Sequence, residues 1–222
     1  MAELAPRDLP AGVDPALFDP NLGVSNENPK GLSFWSLVAE DYRTHDSDPL
    51  SQGFWALFWH RFGNWRMGLP KPARVLATLI YRLMAKLTEW MGGIFLPYTV
   101  RVGRRVRLEH FGGMILVAQA IGDDVIIRQN TTFGIAGLSG LQNRPVIGKG
   151  VEIGAGAVIV GSVHVGEGAV IGANAVVTRH VPAGAVAGGI PARVLKMRPG
   201  HEGAEDARNG TASETVNERP ND

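Results

Sequence analysis

The chain has 222 residues, a formal net charge of +1, no Cys and 29 Gly. Without Cys there is no disulfide framework, no thiolate metal site and no cysteine nucleophile. Near-neutral charge excludes nucleic-acid binding by bulk electrostatics, and Gly falls nowhere near every third residue, which excludes collagen.

Residues 1–33 carry five Pro and no long apolar run. They read as a flexible arm and not as a signal peptide, so a cytoplasmic protein is expected. Residues 34–93 hold all five Trp (Trp35, Trp55, Trp59, Trp65, Trp90) and read as a small helical domain. Phe54, Trp55, Phe58 and Phe62 make one apolar stripe. Leu76, Leu79, Ile80, Leu83, Leu87 and Trp90 make a second, at the three- and four-residue spacings of an amphipathic helix. Arg74, Thr78, Arg82, Lys86 and Glu89 take its other face. Pro70 and Pro72 open this helix and Gly92-Gly93 close it. Helix packing and subunit contact are the preferred reading of both stripes. A membrane span is excluded, because Arg82, Lys86 and Glu89 would each cost about 3 kcal/mol at the bilayer centre.

Residues 94–196 follow a six-residue period. Ile121, Ile127 and Phe133, then Ile147, Ile153, Ile159, Val165, Ile171 and Val177, step by six. Gly often follows the aliphatic, as at Gly122, Gly134, Gly148, Gly154, Gly166 and Gly172. This is the hexapeptide pattern of a parallel β-helix, with the aliphatic inward and the small residue at a tight corner. Leu96, Val102, Leu108 and Met114 extend the period, and the register slips between Met114 and Ile121. Residues 135–145 fit no repeat and read as a loop ejected from the coil, a place where function concentrates. Residues 197–222 are polar and are expected to be a disordered tail.

Three motifs carry a resemblance. They are DSDP with GFWALFWHRFGNW (46–65), VGRRVRLEHFGG (102–113), and the run from Val146 to Val194 that ends in Pro-Ala-Arg. Residues 41–196 resemble the hexapeptide-repeat acyltransferases, most closely the serine acetyltransferase branch. The resemblance implies a left-handed parallel β-helix that forms a homotrimer or a dimer of trimers. It implies direct acetyl transfer from acetyl-CoA to an acceptor hydroxyl, with no metal. His110, in Glu109-His110-Phe111-Gly112-Gly113, is then the general base, and Glu109 its orienter. A neutral imidazole suits the work, since its ordinary pKa lies near 6.5. Asp48, Asn143 and Arg144 are the acceptor-binding candidates. Gly134, Gly154, Ala155, Gly172 and Ala173 match positions whose backbone meets CoA, and Lys149 and Arg193, with Lys196, are candidates for its phosphates.

The sequence also departs from the family. Phe95-Leu96-Pro97-Tyr98 replaces an Asp-Ile-His-Pro whose carboxylate orients the base. Asn143-Arg144-Pro145 replaces an Arg-His-Pro. Phe95 and Phe111 make the site more apolar. The nearest family acceptor is L-serine, in cysteine biosynthesis, and a sugar hydroxyl in exopolysaccharide assembly is the rival. A non-catalytic β-helix scaffold is the reading from another class. Arg101, Arg104, Arg105 and Arg107 read first as a solvated face and second as a peripheral contact with anionic lipid or polymer. His164 and His180 read as surface residues, and His45, His60 and His201 as packed or solvated.

Overall fold

The computed structural model describes residues 23–110, 112–135 and 143–199. Three helices come first. α1 (Phe34–Thr44) starts where the Ser33 hydroxyl accepts the Ser36 amide, and α2 (Gln52–Trp65) where the Ser51 hydroxyl accepts the Phe54 amide. Each side chain satisfies an amide that the first turn leaves unpaired. α3 (Lys71–Gly92) begins after Pro70 and stops at Gly93, whose φ is +68°. Only a residue at ease in the left-handed region ends a helix this way.

Short strands then wind a three-sided solenoid of about five turns. The first side stacks β1 (Ile94–Phe95), β4 (Met114–Leu116), β7 (Thr132–Gly134), β10 (Val158–Val160) and β13 (Val176–Val177). The second stacks β2 (Arg101–Val102), β5 (Ala120–Ile121), β8 (Val146–Ile147) and β11 (His164–Val165). The third stacks β3 (Arg107–Glu109), β6 (Ile126–Arg128), β9 (Glu152–Ile153), β12 (Val170–Ile171) and β14 (Ala185–Gly189). All these pairings are parallel. β15 (Ala192–Met197) turns back antiparallel on β14 and closes the third side.

The period is the core. Val102, Leu108, Ile121, Ile127, Phe133, Ile147, Ile153, Ile159, Val165, Ile171 and Val177 all point inward and are at most 3% exposed. Each such side chain contributes about 1.5–3 kcal/mol by leaving water. The glycines divide into two jobs. At Gly122, Gly148 and Gly154 a Cβ would lie 2.7, 2.8 and 2.5 Å from a backbone nitrogen of the next turn. Positive φ falls two residues later, on Gly150, Gly156, Gly168, Asp124 and Asn174. Asn and Asp tolerate that region better than other side chains do.

The register slip lies elsewhere than expected. Met114 pairs with Ile94, and Leu116 pairs with Phe133. The inward rung of the second turn is therefore Leu116. Leu108 to Leu116 is eight residues instead of six, and Leu116 to Ile121 is five. Two extra residues sit in the corner 110–113, and one is missing after Leu116. The sequence period blurs this because Met114 is buried as well.

The helices cap the open first turn. A first turn leaves edge amides and carbonyls without a ladder partner. Arg61 Nη1 and Nη2 donate to the Val102 and Gly103 carbonyls at 2.7 and 2.6 Å. Its Nε donates to Asp41 at 3.0 Å, with both side chains fully buried. His60 Nε2 donates to the Val100 carbonyl at 2.9 Å, and Asn64 to the Tyr98 carbonyl at 3.0 Å. His45 and His60 are thus buried capping groups and not solvated ones.

Four expectations change. Residues 23–33, read as part of a free arm, are anchored: the Glu27 amide donates to Asn64, Asn28 donates to the Arg61 carbonyl, and Glu27 pairs with Arg101. Residues 1–22 and 200–222 lie outside the described residues. The Arg cluster is a seam between cap and coil. Arg104 binds Glu40, Arg105 binds Asp124, and Arg107 binds Asp46. These paired guanidinium groups are engaged by acids and do not form an open anion-binding face. His164 and His180 are half-buried, the His164 amide donating to His180 Nδ1 at 3.0 Å. Finally, α3 packs through Ala77 and Tyr81, and its apolar stripe stays exposed in the single chain.

Candidate active site

His110 stands on the edge between the third and first sides. β3 delivers it: Leu108 turns inward, Glu109 outward, and the chain then enters the widened corner. His110 has φ +67° and is exposed. A regular corner at this edge has five residues between the inward rungs, as between Ile127 and Phe133, and this one has seven, between Leu108 and Leu116. The excess lifts the imidazole clear of the coil wall. Gly112 is packed tightly, its Cβ position lying 2.8 Å from Asn130 Oδ1, whereas Gly113 beside it has nothing within 4 Å.

The same edge carries Gly154-Ala155 after β9 and Gly172-Ala173 after β12. Coil packing explains Gly154. It does not explain Gly172, where a Cβ would make ordinary contact at 3.5 Å with the Ala187 carbonyl, nor Gly134 on the first side, where the nearest atom would be 3.8 Å away. Neither has positive φ. With Gly113, these are glycines that a single chain does not require.

Glu109 is half-buried and held by two cations. Its Oε1 lies 3.1 Å from Arg107 Nε, and its Oε2 lies 3.2 Å from Arg128 Nε. Glu109, the expected orienter of His110, thus has a guanidinium group beside each of its oxygens. Arg107 in turn grips Asp46 and the Thr44 carbonyl. That contact seats the α1–α2 turn against β3, and with the turn comes Asp48. Asp48 Oδ1 accepts the Leu50 amide at 2.8 Å, which fixes its carboxylate on the exposed side of the turn. His45 completes the seat. Its Nδ1 donates to the Asp41 carbonyl at 2.8 Å, and its Nε2 accepts the Leu108 amide at 3.2 Å. Burial pushes its pKa down, so the neutral form that can accept persists.

Other predicted residues fall on other edges. Asn143 and Arg144 lie between the first and second sides, just before β8. Asn143 Oδ1 accepts from Ser162 at 3.1 Å, and Arg144 Nε is buried with no hydrogen-bond partner. Lys149 lies between the second and third sides, where it borders a groove with Lys30, Asp123 and His164. Within one chain Lys149 therefore lies on a different edge from Gly154-Ala155 and Gly172-Ala173. Arg193 is exposed on β15, against β14, whose Ala187 borders Gly172. Phe111 lies outside the described residues, as do residues 136–142 of the ejected loop. Phe95 is 40% exposed on the first side, beside Ile115 in the next turn. Sequence reasoning missed Arg128, Gly113 and the acceptor role of His45, and only Gly113 had a local signal, in its motif.

Known proteins resemble this arrangement. Residues 144–179 match the family described as bacterial transferase hexapeptide (six repeats). A serine acetyltransferase of Mycobacterium tuberculosis is 36% identical over 158 residues, 70% of this chain and 66% of that protein. One from Escherichia coli K12 is 37% identical over 145 residues, 65% of this chain and 51% of that protein. The structure of a soybean serine acetyltransferase complexed with serine superposes with a TM-score of 0.61 at 32% identity, covering 73% of this chain and 70% of that one. The chain belongs to the serine acetyltransferase family. It has the hexapeptide-repeat architecture of that family, and it spans between about half and two thirds of the length of those two curated relatives. Within a serine acetyltransferase-type coil, the departures at Phe95–Tyr98 and Asn143–Pro145 fall on one edge, where the chain leaves the first side for the second.

Proposed function

We propose that the protein transfers acetyl from acetyl-CoA to the hydroxyl of L-serine, with His110 as general base. The observation that carries this is the exposed imidazole on a widened corner, in line with Gly113 and Gly172, two glycines that the fold alone does not need. A missing Cβ there lets a pantetheine arm lie along the backbone. Family membership and the serine-bound relative support the acceptor.

An alcohol is a poor nucleophile at neutral pH, so His110 takes its proton as the oxygen attacks the thioester carbonyl. A backbone amide of the same edge steadies the tetrahedral oxyanion. As that intermediate collapses, the imidazolium returns the proton to the departing CoA sulfur. Asp48 suits the ammonium of serine, and Arg144, with its unpartnered buried Nε, suits the carboxylate, with Asn143 beside it. These groups lie on opposite edges of the first side. A homotrimer brings the one edge of a copy to the other edge of its neighbour, and the outer row Phe95, Ile115, Thr132, Val158 and Val176, apolar except for Thr132, fits a buried contact between copies. Arg193 is left as the phosphate candidate.

One observation favours a second acceptor. Glu109 is occupied by Arg107 and Arg128, and Phe95 stands where the family resemblance has a carboxylate. Both suit a neutral sugar hydroxyl better than an amino acid. The test is CoA release from acetyl-CoA with L-serine, then with nucleotide-linked and lipid-linked sugars. Turnover with serine is expected. His110→Ala should keep CoA binding and lose about 10²–10⁴-fold in kcat. Near-normal turnover of that variant would sink the assignment, and absence of CoA binding by the parent would favour a scaffold.

A further inference from the structure

α3 presents three faces. Ala77 and Tyr81 are buried against the cap. Arg82, Lys86 and Glu89 border the groove that α3 forms with Phe95–Tyr98 of the first turn. The third face carries Leu76, Leu79 and Leu83, each at least 60% exposed, and ends in Trp90 and Met91 at 75% and 77%. Ile80 lies among them, and Val75 flanks the row. A helix of this length is about 33 Å long, so the stripe is long as well as wide. Scattered exposed apolar residues are ordinary, whereas a contiguous row marks a contact.

The coil does not cover this row. The residues of α3 that line the groove against the first turn are Tyr81, Arg82, Ala85, Lys86, Thr88 and Glu89, and none of them belongs to the stripe. A trimer built on the outer row of the first side therefore meets the polar flank of α3. Charge identifies the occupant. α3 contains Lys71, Arg74, Arg82 and Lys86 against a single acid, Glu89, and that acid is already paired with Lys86 at 2.5 Å. A second copy of the same helix brings the same excess of cations and sets like charge against like. A bilayer with anionic headgroups supplies both needs, an apolar layer for the leucines and negative charge for the exposed Lys71 and Arg82. Trp90 at the end of the row is the residue type that settles at the headgroup level. No helix among the described residues is long and apolar enough to cross a membrane, so the helix lies flat.

We propose that α3 docks this protein in the plane of an anionic lipid surface, through Leu76, Leu79, Ile80, Leu83 and Trp90, with Lys71 and Arg82 on the headgroups. This site is separate from the His110 edge, and its test does not depend on the acceptor.

The experiment is flotation of the full chain with phosphatidylcholine vesicles, with and without phosphatidylglycerol, at low and high salt. Binding is expected on the phosphatidylglycerol vesicles and is expected to weaken at least about tenfold in their absence. Leu79→Glu/Leu83→Glu should lose binding at both salt concentrations. Lys71→Glu/Arg82→Glu should lose the salt-sensitive part, and it tests the proposal with the leucines intact. Both variants should keep the parent's circular dichroism and CoA release, because the substituted residues are exposed. The proposal falls if the parent fails to float with phosphatidylglycerol vesicles, or if Leu79→Glu/Leu83→Glu floats as well as the parent. It also falls if light scattering shows that variant at half the parent's mass, since the stripe would then be an interface between copies.

Discussion

The Nε2 of His45 accepts the backbone amide of Leu108, two residues before His110. The contact joins the helical cap to the strand that carries the base. β3 is the edge of its sheet, so this amide has no strand to pair with. Replacing His45 by Leu leaves the donor buried and unpaired, which costs about 1–3 kcal/mol. Urea unfolding of His45→Leu should show that loss. Its kcat should fall while the KM for acetyl-CoA holds, because the glycine edge is untouched. His45→Gln offers an amide oxygen and should recover part of both.

Arg61 is the strongest tie between cap and coil. It serves Asp41, the Val102 carbonyl and the Gly103 carbonyl from a fully buried position. Arg61→Met removes one partner of a buried ion pair, a change that costs about 3–5 kcal/mol. The double variant Arg61→Met/Asp41→Leu removes the stranded charge as well. It should regain only part of the loss, since the two carbonyls stay unsatisfied. Full recovery in thermal unfolding would show that the carbonyl bonds contribute nothing.

The coil was legible because its inward rungs must be aliphatic, and every six-residue rung from Ile121 to Val177 is buried. The slip at His110 was misplaced because Met114 and Leu116 are both apolar and both buried, so residue type cannot say which one carries the rung. The stripe of α3 shows the limit of periodicity. It tells which residues share a face, and nothing about what covers that face. The cap was illegible for another reason. His45, His60 and Arg61 act on backbone atoms some 40 to 63 residues away, and a hydrogen bond to a backbone atom leaves no pattern in the partner's sequence. The Arg cluster misled in the same way, because its acids at Glu40, Asp46 and Asp124 come from three separate segments.

Acid should destabilise the protein through its buried histidines. His60 is fully buried, its Nε2 donating to Val100, and burial pushes its pKa down to about 3. In the unfolded chain it titrates near 6.5. The unfolded state therefore binds the extra proton between those values. Stability is full above pH 6.5 and falls as pH drops toward 3, by up to about 1.4 kcal/mol per pH unit for this proton. His45 acts in the same direction. Asp41, whose carboxyl burial pushes up, acts in the opposite one and offsets part of the slope. His60→Gln keeps a donor for Val100 and has nothing to titrate. Its urea midpoint should vary less than the parent's between pH 6.5 and 4, and an unchanged slope would remove His60 from the account.

Gly154 and Gly172 sit one turn apart on the edge of His110, and they should fail differently. An Ala Cβ at Gly154 would lie 2.5 Å from the Ala173 nitrogen, so the turns must separate. Gly154→Ala should lose about 1–3 kcal/mol of stability, the usual range for overpacking. At Gly172 the same Cβ would sit 3.5 Å from the Ala187 carbonyl, an ordinary contact. Gly172→Ala should leave the unfolding midpoint within about 0.5 kcal/mol of the parent, as exposed substitutions do. If a pantetheine arm lies along that backbone, the methyl group stands in its way, and the KM for acetyl-CoA should rise about tenfold, or roughly 1.4 kcal/mol. Gly134→Ala, with its nearest neighbour 3.8 Å away, should behave like Gly172→Ala if the ligand crosses the first side. A Gly172→Ala variant that is both stable and kinetically normal would mean that this edge does not hold CoA.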